Sequence, residues 1–158
     1  MATRAPADLL IETDSPAATA ALGERLAAVA RAADLICLWG ELGAGKTVLA
    51  KGVGAGLGTT TVVASPSFIL MAEHAGRLPL FHIDLYRLGS AQDVLDGGLL
   101  DERQAAGLTL IEWPERLGDA LPSPRLDVRL EVAGEDRRRI AIRAVGPGLE
   151  RYLAAARA

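Results

Sequence analysis

Gly40-Glu41-Leu42-Gly43-Ala44-Gly45-Lys46-Thr47 follows directly on an apolar run, Leu35-Ile36-Cys37-Leu38-Trp39. The octapeptide fits the G-x-x-x-x-G-K-[ST] phosphate loop, and a strand before it with a helix after it is the context in which that loop works. Its glycines let the backbone curl so that successive N–H groups point inward at phosphate oxygens, at the positive end of the following helix. Lys46 brings a compact ammonium to the β- and γ-phosphates, and the Thr47 hydroxyl is placed to ligate Mg²⁺. The chain holds fifteen arginines but only two lysines, Lys46 and Lys51, so a lysine in that slot is not background. The pattern implies a nucleoside triphosphate site built from Glu41, Leu42, Gly43, Ala44, Gly45, Lys46 and Thr47.

Composition narrows the setting. At 158 residues, half of them apolar and 23% charged, the chain has the length and make-up of one globular domain, 1–158, with a continuous core. A net charge of −3 makes it a poor stand-alone nucleic-acid binder, because no excess of cations is available to displace counterions. Any RNA is therefore expected to be held by a partner. The single cysteine, Cys37, excludes an intrachain disulfide and reads as a small buried hydrophobe. The first eight residues lack the apolar stretch of a signal peptide, and no segment is apolar for long enough to cross a bilayer; a cytoplasmic location is expected.

Outward from the loop, the pattern alternates strand and helix. Leu9-Leu10-Ile11 reads as a short strand, and Ser15-Pro16 as a helix start with Ser15 at the N-cap. Leu22, Leu26 and Val29 then recur at helical spacing. The helix from Lys46 is expected to be short, because Gly52, Gly54, Gly56 and Gly58 each disfavour helix by nearly ~1 kcal/mol relative to Ala. Those glycines read as helix termination and close packing. Val62-Val63 and Phe68–Met71 are strand-like around Ser65-Pro66-Ser67, and Ala75-Gly76-Arg77 is a turn that returns the chain as Leu78–Asp84. The stretch from Ser90 to Gly107 holds two short helical candidates. Leu108–Ile111 is a buried strand ending at Glu112, and Leu126–Val132 and Ile140–Val145 pair across the charged turn Gly134–Arg139. A short helix closes the chain. This order predicts an α/β fold with a mixed, mainly parallel sheet flanked by helices and an antiparallel C-terminal hairpin.

A phosphate loop alone says binding; hydrolysis needs carboxylates to hold Mg²⁺ and position water. Glu112 stands at the carboxyl end of a buried strand, the edge where ligands gather in open α/β sheets. Asp84 ends another, and period-two alternation puts Leu80, His82 and Asp84 on one face with Phe81, Ile83 and Leu85 on the other. The plainer alternatives are a strand-end cap for Glu112 and an ion pair with Arg87 for Asp84. His82 reads as a structural hydrogen-bonder.

The loop, Ser65-Pro66-Ser67-Phe68, His82-Ile83-Asp84-Leu85-Tyr86-Arg87-Leu88 and Ile111-Glu112-Trp113-Pro114 occur in that order. The series resembles the bacterial TsaE (YjeE) family of small ATPases needed for threonylcarbamoyladenosine modification of tRNA, over nearly the whole chain. The loop by itself is not specific; the His-x-Asp-Leu-Tyr-Arg-Leu block with a downstream Glu-Trp is. The resemblance implies a P-loop NTPase fold, ATP with Mg²⁺, metal coordination by Thr47 and Glu112, and Asp84 close to the metal and γ-phosphate. With Lys46, Asp84 is the catalytic candidate. Ser65 and Ser67, within Ser65–Phe68, would be a switch that senses the nucleotide, and Trp113 a packing or nucleotide-facing aromatic. The family usually has Ser-Pro-Thr where this chain has Ser67, which keeps the hydroxyl. The implied partners are TsaD- and TsaB-like proteins, which hold the tRNA and perform the transfer, so that tRNA is met only indirectly.

A GTPase is excluded by motif: guanine-reading proteins carry Asn/Thr-Lys-x-Asp, and this chain has no Asn and no Lys followed two places later by Asp. That points the base towards adenine. A small-molecule or nucleotide kinase is the enzyme alternative, with Arg137-Arg138-Arg139 as a phosphate-clamping lid; the plainer reading of that cluster is a solvated hairpin turn. A nucleotide-gated interaction module is the non-enzymatic alternative.

Overall fold

The computed structural model describes residues 7–60, 71–87 and 102–158. Its elements are β1 (Leu9–Thr13), α1 (Pro16–Ala28), β2 (Leu35–Trp39), α2 (Lys46–Gly56), β3 (Met71–His74), β4 (Leu80–Asp84), β5 (Leu108–Glu112), β6 (Arg125–Val132), β7 (Arg138–Val145) and α3 (Glu150–Arg157). Short 3₁₀ segments at Glu102–Ala106 and Pro114–Ala120 flank β5. Every residue of β5 is buried, as is all of β2 except its last. Such uniformly apolar runs belong in the middle of a parallel sheet with both faces covered, and there they lie.

Among the described residues the strands form one seven-stranded sheet in the order β1-β7-β6-β2-β5-β4-β3. Strands β6, β2, β5 and β4 pair in parallel, while β1–β7, β7–β6 and β4–β3 are antiparallel. The sheet is mixed, as its sequence implies, but the parallel pairings are three of six and are confined to its centre. The expected C-terminal hairpin is β6–β7. The addition of β1 to its free edge is a pairing of residues some 130 positions apart in the chain, as in Leu9 with Ile142. The expected hairpin after Met71 is β3–β4, with β4 beginning at Leu80 because Pro79 has no N–H to give a ladder. Val62-Val63, Phe68–Leu70 and most of the two helical candidates after Ser90 lie outside the described residues.

Alternation sorts the side chains into two cores. Ile36, Leu38, Leu80, Leu108, Leu110, Leu126, Val128, Leu130, Ile140 and Ile142 face α1, α2 and α3. Leu35, Cys37, Ile83, Leu85 and Ile111 face the opposite way, under Leu117. Burial, and then the Asp127 carboxylate, hold the Cys37 thiol well above its ordinary pKa, which fits its role as a packed hydrophobe.

The phosphate-loop helix is set by its glycines. Ser15 caps α1 by accepting from the Ala18 N–H (3.1 Å), with Pro16 in the first turn, as expected. Helix α2 packs on α1 backbone to backbone: a Cβ on Gly52 would stand 2.1 Å from the Ala20 carbonyl oxygen, and one on Gly56 2.6 Å from the Ala27 Cβ. Helix α2 ends where propensity places it. Thr59 N–H reaches the Gly54 carbonyl and Gly58 N–H the Ala55 carbonyl, both at 3.0 Å, a Schellman closure with Gly58 at φ +68°. Helix α3 is fastened by Tyr152, fully buried, whose hydroxyl donates to Asp34, and by Arg151, which donates to the same carboxylate and to the Val29 carbonyl. Among the described residues no helix is long and apolar enough to cross a membrane.

Gly52→Ala sets two effects against each other. Helix propensity favours alanine by about 1 kcal/mol, whereas forced overpacking against rigid backbone costs about 1–3 kcal/mol. The 2.1 Å approach decides for the second, so the melting temperature should fall by several degrees in a thermal scan. A variant that melts higher than the parent would show that α1 and α2 do not pack this closely.

Candidate functional site

The loop between β2 and α2 needs glycine at particular points. Gly45 lies at φ +103° and is the N-cap of α2, with no side chain capping the first turn and no acid within it. The helix start is thus open towards an anion. Gly40 lies at φ +148°, and a Cβ there would stand 2.7 Å from the Leu130 carbonyl oxygen of the neighbouring strand. Within the loop, Ala44 N–H closes a turn onto the Glu41 carbonyl (3.1 Å); Ala44 is buried, while Leu42 is 68% exposed.

Arg138 braces this loop from behind. Its Nε donates to the Ala44 carbonyl at 3.1 Å and one terminal nitrogen to the Gly43 carbonyl at 3.2 Å. Its other terminal nitrogen holds the hairpin turn through the carbonyls of Gly134, Glu135 and Arg137. Arg138 thereby ties the loop backbone at Gly43 and Ala44 to the turn between β6 and β7. Arg139 faces the other way, towards Glu12 at 3.7 Å. The triple-arginine run is therefore not a wholly solvated turn, since Arg138 is engaged on the loop and Arg139 lies towards Glu12. Period-two alternation through Ile140 and Ile142 carries the signal, since it puts Arg138 and not Arg139 on the loop's side of β7.

Lys46 is 5% exposed. Its Nζ donates to the Gly40 carbonyl at 2.5 Å and lies 3.6 Å from the ring centroid of Trp113. Burial lowers its pKa, and Glu112, Glu115, Asp84 and Glu41 act against that by favouring the ammonium. The acids proposed from sequence thus act on the charge of the lysine, together with Glu115, which sequence reasoning passed over. Trp113 reaches the ammonium from a left-handed backbone, φ +60° and ψ 49°. A non-glycine residue there costs on the order of 1–3 kcal/mol and persists only where its surroundings enforce it. Tyr86, its ring centroid 4.9 Å away, is one of the enforcing contacts.

The two strand-end acids are neighbours because β4 and β5 run parallel in a register that pairs Asp84 with Glu112. Asp84 is half-buried, and its Oδ1 accepts the Tyr86 N–H at 3.0 Å. Glu112 is 3% exposed, and its Oε2 meets Nε2 of the fully buried His82 at 2.6 Å. His82 is the structural hydrogen-bonder its sequence context suggests, and its partner is the candidate metal ligand. Thr47, half-buried, sits in the first turn of α2. Ser65 and Ser67 lie outside the described residues. Hydroxyl and carboxylate oxygens are hard donors suited to Mg²⁺, which takes one or two carboxylates and completes its octahedron with phosphate oxygens and water. Among the described residues no three His, Cys, Asp or Glu side chains form a group that could hold a metal.

Residues 13–140 match the family model described as threonylcarbamoyl adenosine biosynthesis protein TsaE. The chain belongs to the TsaE family. It is 40% identical over 135 residues to the tRNA threonylcarbamoyladenosine biosynthesis protein TsaE of Bacillus subtilis, covering 85% of this chain and 84% of that one. The namesake from Streptomyces coelicolor is 41% identical over 118 residues, 73% of this chain and 80% of its own length. Among solved structures, YdiB of Bacillus subtilis superposes with a TM-score of 0.78 at 34% identity, covering 94% of this chain and 93% of that one. The fold is accordingly that of a P-loop NTPase, and the TsaE family to which the chain belongs works in tRNA threonylcarbamoyladenosine biosynthesis. The matched span contains the loop, both strand-end acids, His82 and Arg138.

Arg138→Met keeps the aliphatic stem and removes the brace. ADP affinity measured by calorimetry is expected to fall about tenfold, the weight of one charge-assisted hydrogen bond. Unchanged affinity would mean that the loop holds its shape without it.

Proposed function

We propose that the chain is a single P-loop ATPase domain, 1–158, that binds ATP with Mg²⁺ and hydrolyses it in support of threonylcarbamoyladenosine formation on tRNA. The observation that carries the reading is the glycine-built loop between β2 and α2 with Lys46 buried at its end, donating to the Gly40 carbonyl, its charged form favoured by Glu112, Glu115, Asp84 and Glu41. Glu41 to Thr47 wrap the phosphates, and Lys46 leaves the Gly40 carbonyl to bond the β- and γ-oxygens. Thr47 and Glu112 hold Mg²⁺, which when bound neutralises charge developing on the transferring phosphoryl group. Asp84, beside Glu112, orients a water for in-line attack on the γ-phosphorus; the bond to the β-bridging oxygen breaks, and ADP and phosphate leave. Ser65 and Ser67 report the γ-phosphate as a switch.

The purpose of the cycle lies in partners. TsaD- and TsaB-like proteins hold the tRNA and perform the transfer, in the cytoplasm, and nucleotide state sets this chain's engagement with them. The names of its relatives support the pathway, and the acidic net charge suits indirect contact with RNA. The kinase alternative is less well supported, because two of its three lid arginines are engaged elsewhere, Arg138 on the loop's own carbonyls and Arg139 towards Glu12.

Single-turnover hydrolysis of ATP with Mg²⁺ tests this, alone and with the two partner proteins. Lys46→Ala should bind no ATP in calorimetry. Asp84→Ala should bind normally but turn over about 10²–10⁴-fold more slowly, the range for losing a positioned acid–base group. If Asp84→Ala loses binding instead, Asp84 is a ligand or scaffold residue. If the wild type hydrolyses no ATP in either setting, the ATPase reading fails.

A further inference from the structure

We propose that His82 is a positioning residue: its imidazole fixes the Glu112 carboxylate in the one rotamer that presents an oxygen to a divalent cation. The inference deepens the ATPase reading and rests on it. Register supplies the geometry. Asp84 stands opposite Glu112, and His82, two residues earlier on β4, stands opposite Leu110. His82 and Asp84 share a face of β4, and the Glu112 side chain turns to His82, while Asp84 stands level with Glu112 in the register. The 2.6 Å contact takes Oε2, and among the described residues no hydrogen bond reaches Oε1, which is the oxygen left for the metal.

The pairing is one-sided in a way that assigns the donor. His82 Nδ1 has no hydrogen-bond partner among the described groups, and the ring is fully buried. The tautomer with its hydrogen on Nε2 is the one that satisfies the pair, donating to the carboxylate. A glutamate has three side-chain torsions, and at 3% exposure water cannot steady this one. A buried donor that orders a metal carboxylate typically governs metal affinity by about 10- to 100-fold. His82 itself touches neither nucleotide nor cation; it acts through Glu112.

The test uses the full-length chain, ADP and Mn²⁺, whose free fraction is read by electron paramagnetic resonance. His82→Leu, which fills the space without a donor, should weaken Mn²⁺ binding about 10- to 100-fold while leaving metal-free ADP affinity within about twofold. His82→Gln places an amide N–H near the Nε2 position and should restore Mn²⁺ affinity to within about threefold of wild type. Full Mn²⁺ affinity in a folded His82→Leu, or no rescue by His82→Gln, overturns the proposal. A readout needing no variant is the nitrogen-15 spectrum of wild-type His82, where a hydrogen on Nε2 is expected and one on Nδ1 alone overturns it. Wild-type protein that binds no Mn²⁺ with ADP overturns the ATPase reading together with this inference. Unchanged binding in His82→Leu overturns this inference alone.

Discussion

A buried ammonium has to be answered by opposite charge, and most of the site follows from answering Lys46. Moving an ion out of water still costs several kcal/mol after relaxation. The Gly40 carbonyl and the Trp113 face meet part of that cost, and Glu112, Glu115, Asp84 and Glu41 favour the charged form. Each of those groups has its own structural cause. Gly40 must be glycine because the β6 carbonyl at Leu130 leaves no room for a Cβ. Glu112 and Asp84 arrive together because two parallel strands end in register. Trp113 is turned into the left-handed region at the point where β5 stops.

The sheet also explains why the chemistry gathers at one edge. Its centre is covered on both faces, by the helices on one side and by the layer around Leu117 on the other. Strands β6 and β7 carry charged residues on the side away from the helices, with Asp127 opposite Arg143 and Glu131 opposite Arg139. Trp39 lies there with its indole N–H on Asp127 at 3.0 Å and the Arg129 guanidinium 4.8 Å from its ring. Cross-strand placement of opposite charges stabilises such a face modestly and keeps it wetted. Among the described residues the buried ionised side chains are Glu112, at the carboxyl end of β5, and Lys46, at the start of α2.

Much of this was legible in the chain because its causes are local. The glycine and lysine spacing at 40–47, the Ser15-Pro16 helix start, the early end of α2 and the buried run into Glu112 each follow from neighbours in sequence. The place of β1 beside β7 was not legible, since strand alternation says which face a residue takes but not which distant strand it joins. Arg138 was hidden inside a triple-arginine run, where composition reads as solvation and only the parity of β7 separates the brace from its neighbours. The resting place of Lys46 on Gly40 and Trp113 depends on a strained φ that no local pattern announces. His82 was legible as a hydrogen-bonder, whereas its partner became evident only through the β4–β5 register.

The claim at the centre is that Lys46 is held by substitutes for phosphate and that Glu112 and Thr47 wait for the accompanying cation. A crystal structure of the full chain with Mg²⁺ and a non-hydrolysable ATP analogue addresses it directly. The account expects Lys46 Nζ to have left the Gly40 carbonyl for the β- and γ-phosphate oxygens, with Thr47 and Glu112 on the metal and Glu112 still bonded to His82. A nucleotide bound with Lys46 still on Gly40, or a metal held away from Glu112, would contradict it.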